Sequence, residues 1–93
     1  MKSVLQDTKE CYICGCMNCL EDHHIFFGIS KKKHSENRGL KVWLCGGHHR
    51  NGPQAIHRNR ETDLQLKEMA QTYYEQNIGT RQQFILEFGK SYL

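Results

Sequence analysis

The chain has no stretch long and apolar enough to cross a bilayer, which takes about 20 consecutive apolar residues, so a membrane-spanning role is excluded. Met1–Glu10 also lacks the apolar core of a secretory signal, since it carries Lys2, Asp7, Lys9 and Glu10, and a cytoplasmic protein with reduced thiols is expected. Internal repeats and low-complexity tracts are missing. So is any long recognition helix or second domain for reading bases, which argues against sequence-specific nucleic-acid recognition. Length itself is scarce. The 93 residues suit a single small domain whose core is too small to stand alone, and a staple is expected.

What the chain does have is five cysteines and six histidines. An odd cysteine count argues against a closed disulfide framework and for metal ligation. Cys11-x-x-Cys14-Gly15 and Cys45-x-x-His48 are two half-sites, each spaced to place two ligands on one ion. Together they close a Cys3His tetrahedron of the structural-zinc kind, in which binding energy becomes folding energy. Cys16-x-x-Cys19 is a competing half-site, either a bystander or the holder of a second metal shared between chains.

Net charge is +3, but the basic residues concentrate in the middle: Lys31, Lys32, Lys33, Arg38, Lys41, Arg50, Arg58 and Arg60. A bare charge run is ordinarily a solvated loop. Beside a histidine cluster it is also what a polyphosphate substrate needs, because neutralising phosphates releases counterions.

The pattern predicts an α+β fold. Residues 1–10 read as a polar lead-in without chemistry, and Cys11–Cys19 as a metal-binding turn. Leu20–Phe27 and Leu40–Leu44 read as the two strands of a hairpin, with 28–39 as a charged loop between them. Gly46–Asn51 opens a short helix, punctuated by Gly52-Pro53. Thr62-x-x-Gln65 starts a helix over 63–78 and Thr80-x-x-Gln83 a second one closed by Gly89. These two helices are expected to serve as packing.

On a strand, neighbouring side chains point to opposite faces, so His23 can bind a metal while His24 does something else, and His49 supplies a second ligand from the following turn. Imidazole is the one side chain with a near-neutral pKa before any perturbation, which suits a general base.

The ordered set Cys11-x-x-Cys14-Gly15, Asp22-His23-His24-Ile25 and Leu44-Cys45-x-x-His48-His49 resembles the HNH, or ββα-metal, endonucleases, covering most of the chain from Cys11 onward. It is similar above all to small phage-associated members, whose tail looks like Phe88–Leu93. The resemblance implies a ββα-metal core with a zinc knuckle and C-terminal helices: a zinc and ββα-metal core over 11–60 and two helices over 61–93. It further implies His24 as general base, with His23 and His49 on a catalytic Mg²⁺, Mn²⁺, Ni²⁺ or Zn²⁺. The expected products carry 5′-phosphates and 3′-hydroxyls. Asn37 matches the middle residue that orients the base, with His34 as its rival. Asp22 is an alternative ligand if the register differs by one, and His57 falls where a further ligand or phosphate contact can return. Lys31, Lys32, Lys33, Arg38 and Arg50 would hold the DNA backbone without specifying sequence. A phage or prophage protein acting in the cytoplasm of a bacterial host follows, with terminase or other packaging proteins, or a second copy of the chain, as partners. A non-catalytic zinc module that binds nucleic acid or protein is the competing class, and a packaging accessory active only inside a larger assembly is a third. The non-catalytic module needs the Cys3His set and has no use for His24 and His49.

Overall fold

The computed structural model describes residues 2–52 and 55–93, so Pro53 of the expected Gly52-Pro53 turn lies outside the described residues. Strand β1, Leu20–His24, pairs antiparallel with β2, Lys41–Cys45. The register sets His24 opposite Lys41, His23 opposite Val42 and Glu21 opposite Leu44. His23, Val42 and Leu44 are buried. β1 is shorter than expected because Ile25 and Phe26 leave the strand for the core, where both are fully buried.

The expected loop over 28–39 is a correction: it contains helix α1, Lys31–Arg38. This helix has no apolar stripe, so a reading based on periodicity passes over it. It is held by polar anchors instead. The buried Ser35 hydroxyl donates to Phe26 O at 2.9 Å and accepts from Phe26 N–H at 3.0 Å. Gly39 then ends the helix in the left-handed region with φ 69°, and a Cβ there would lie 2.5 Å from Lys2 O, so no larger residue fits.

After β2 the chain makes one π-helical turn, Gly47–Asn51, where a short helix was expected. Helix α2 spans Arg60–Asn77 and starts earlier than the capping box at Thr62 suggests. Asn59 is the N-cap, accepting from Thr62 N–H at 3.2 Å, a favoured capping residue. Helix α3, Arg81–Phe88, uses the expected Thr80/Gln83 capping box and ends at Gly89 with φ 98°.

The core lies between the hairpin and these helices. Phe26 meets Phe88 at 4.5 Å and Phe84 at 5.3 Å between ring centroids, with Leu40, Leu66, Ala70 and Tyr74 around them. The chain before Cys11 covers the open edge of β2: Gln6 Oε1 accepts from Trp43 N–H at 2.8 Å, and Val4 N–H donates to Gly39 O at 2.9 Å. A covered edge cannot template pairing with another chain.

Candidate functional site

The hairpin and the segments around it gather three groups of possible metal ligands, the third being Asp22, His24 and Glu36. Cys11, Cys14, Cys45 and His48 form the first, each offering one ligand atom within 4.8 Å of the others. Cys14 and Cys45 sulfurs are 3.8 Å apart, and His48 Nδ1 lies 3.7 Å from Cys11 Sγ and 3.3 Å from Cys45 Sγ. A tetrahedral zinc with bonds of about 2.3 Å to sulfur and 2.0–2.1 Å to nitrogen has edges of about 3.8 Å (S···S) and 3.5 Å (S···N). The donors fit that ion. Burial works against charge on Cys11, but the backbone N–H groups of Cys45, Cys14 and Ile13 more than offset it and bring the thiol down to about 6. Cys14 is pushed up: the Cys16 backbone favours its thiolate, but burial and the neighbouring Cys11 and Cys45 outweigh that. A cation resolves the conflict by stabilising every thiolate at once. Cys16 and Cys19 lie outside this group; the Cys16 sulfur accepts from Asn18 N–H at 3.5 Å.

The second group is His23, His49 and His57. Their rings are 5.2 Å apart for His23 and His49, 5.3 Å for His23 and His57, and 4.9 Å for His49 and His57. His23 Nε2 is buried without a hydrogen-bond partner among the described residues, a costly state for a polar atom and one that a bound cation relieves. Glu21 Oε1 lies 2.7 Å from His49 Nδ1. With Nδ1–H given to this carboxylate, Nε2 is left to ligate, the outer-shell arrangement common around metal-bound histidines. Burial first, then the nearby His49, His57 and His24, lower the His23 pKa to about 3, and burial followed by His49 and Arg50 lowers that of His57. His23 is therefore neutral at physiological pH, as a ligand must be.

The His23 shift has a measurable consequence. Its folded-state pKa is below the unfolded value near 6.5, so its contribution to stability is complete above pH 6.5 and is lost as the pH falls toward 3. Over that window unfolding takes up about one extra proton, or about 1.4 kcal/mol per pH unit. In the zinc-loaded protein the His23→Leu variant should lose this part of the slope of unfolding free energy against pH between 6.5 and 5. Identical slopes would show that His23 is not buried in its neutral form.

His24 points to the other face of β1, with its side chain 12% exposed and Nε2 2.8 Å from Glu36 Oε1 on α1. Lys41 Nζ bridges this carboxylate, at 2.9 and 3.0 Å, to Asp22 at 3.2 Å. Burial disfavours the ammonium, but Glu36 and Asp22 outweigh it and hold the Lys41 pKa above its usual value. His24 still lines the same small cleft as the histidine triad, about 100 Å³ in volume and bordered also by Asp22, Phe27, Lys32 and Arg50.

The other expected site residues divide between this cleft and the rest of the surface. Asn37 is exposed on α1, and it is Glu36 that meets His24. His34 faces α3, 3.2 Å from Glu87 Oε1, and Arg38 donates to the same Glu87 at 3.0 Å, so both dock α1 onto α3. Lys32 borders the cleft, whereas Lys31 and Lys33 do not. Asp22 borders the cleft and stands outside the triad, which His57 completes, in the group with His24 and Glu36. Glu21, Glu36 and Lys41 are contacts that reading the sequence missed. Strand alternation could have flagged Glu21, two residues before His23 on the same face. No local signal marks Glu36.

No protein-family model matches the chain, and no curated protein or solved structure does either. The described helices include none long and apolar enough to cross a membrane.

Proposed function

We propose that the chain is a metal-dependent endonuclease of the HNH type, hydrolysing phosphodiester bonds in DNA with little sequence preference. The observation carrying this reading is the content of one cleft: three histidines placed to share an ion, a fourth of different surroundings beside them, and two cationic side chains. A divalent ion held by His23, His49 and His57 would supply positive charge against the scissile phosphate and the departing oxygen.

The remaining work falls to the chain's own groups. Glu36, as a carboxylate, accepts the Nε2 proton of His24, so Nδ1 is the nitrogen free to take a proton. His24 Nδ1 removes a proton from water as its oxygen attacks phosphorus, the bond to the 3′ oxygen breaks, and that oxygen takes a proton from solvent water, leaving a 5′-phosphate and a 3′-hydroxyl; His24 then returns its proton to solvent. Lys41 neutralises Glu36 and Asp22 in part, keeping this carboxylate pair from repelling a polyanion. Lys32 and Arg50 position the backbone by charge, which fixes register without reading bases.

The deciding measurement is cutting of supercoiled plasmid by the zinc-loaded protein. Nicked or linear product is expected with added Mg²⁺, Mn²⁺, Ni²⁺ or Zn²⁺, and none after chelation of the exchangeable ion. Metal analysis should find one tightly held zinc per chain and a second, exchangeable site. Intact plasmid under every metal would overturn the enzymatic reading and leave the Cys3His group as part of a binding module.

A further inference from the structure

The loop from β1 into α1 has no part in the chemistry proposed above, yet it is built unusually. Ile29 is 99% exposed, and Phe27, two residues before it, is 43% exposed. A lone exposed apolar residue is ordinary. Here the backbone on both sides is in an uncommon conformation. Gly28 has φ 102° and Ser30 φ 69°, and a Cβ at Gly28 would meet nothing within 4 Å, so the dihedral rather than crowding calls for glycine. A serine in the left-handed region is strained, and such strain collects in segments that act on ligands.

Two further observations say what the tip meets. Phe27 and Lys32 both border the histidine cleft, and two residues of chain span at most about 7 Å, so the Ile29 backbone lies within about 7 Å of a residue of the cleft wall, although Ile29 itself does not border it. Lys31, Lys32 and Lys33 follow after Ser30; the Lys31 ammonium lies close to Gly89, while Lys32 and Lys33 are exposed. An apolar tip with cations at its base suits a side chain entering a stack of bases while the cations hold the phosphates. A purely apolar partner would have no use for two exposed lysines near it.

We propose that Ile29 is a wedge that enters a base step of duplex DNA next to the bond presented to the histidine cleft, with the exposed Lys32 and Lys33 ammonium groups on the flanking phosphates. The proposal rests on the nuclease reading. It makes the substrate a deformable duplex: easily unstacked pyrimidine–purine steps should be cut faster than stiff A-tracts.

The test uses the zinc-loaded full chain carrying His24→Ala, so that DNA is bound and not cut, and short duplexes with 2-aminopurine at a TA step. Binding should raise 2-aminopurine fluorescence as the base unstacks. Adding Ile29→Ala should cut that rise by at least roughly threefold and, in the cutting-competent chain, slow cleavage roughly two- to tenfold, while Ile29→Leu keeps both. Lys32→Ala should weaken binding and lower the salt slope by about one. An unchanged rise in the Ile29→Ala protein, or no rise in the parent despite tight binding, overturns the wedge and leaves the nuclease reading standing. No DNA binding by the parent overturns both.

Discussion

His24→Ala is expected to lower plasmid cutting by about 10²–10⁴-fold, the usual contribution of a positioned general base, while leaving zinc content and fold intact. The two halves of this expectation rest on different features. His24 contributes nothing to the Cys3His group or to the histidine triad, and its one described side-chain bond is to Glu36 on α1. Truncation leaves that carboxylate bonded to Lys41, so no buried charge is orphaned. Circular dichroism and metal analysis should match the parent, and cutting should not. Equal cutting by variant and parent would remove His24 from the chemistry and shift the search for a base to other groups around the cleft.

Cys45→Ser is expected to do the reverse, abolishing cutting because the chain no longer folds. Small domains are stable by about 5–15 kcal/mol, and zinc bound in small structural sites contributes about 10–16 kcal/mol of apparent binding energy. Losing the ion therefore removes as much as the domain has. Cys45 is decisive by position: it ends β2, meets both Cys14 and His48, and so ties the N-terminal turn to the segment carrying His49. Thermal melts should lose their cooperative transition, and a strong chelator should do the same to the parent. Cys19→Ser, outside the ligand group, should change neither zinc content nor melting. A Cys45→Ser protein that keeps its zinc and its transition, or a Cys19→Ser protein that loses them, would reassign the knot to the other half-site.

These variants also separate what can be read locally from what cannot. The Cys11/Cys14 and Cys45/His48 half-sites were legible because two ligands three residues apart in a turn are able to share an ion, and pairing two such halves needs only a hairpin between them. The hairpin was legible from its β-branched and aromatic runs, and α3 from a capping box whose bonds are all within four residues. Helix α1 was not, because Lys31–Arg38 shows no apolar period and is held by Ser35 bonding to Phe26 nine residues away.

By itself, then, the sequence determined the four thiol and imidazole donors of the first group, the strand that carries His23 and His24 on opposite faces, and the helical C-terminal part, all set by contacts within a few residues. Only the tertiary structure decided that His57 completes a triad with His23 and His49, that Glu21 orients His49, and that Glu36 rather than Asn37 meets His24. Those choices depend on how α1 and the chain beyond the π-helical turn pack against the hairpin. Packing of that kind sums many weak contacts between distant residues, and no short motif records it.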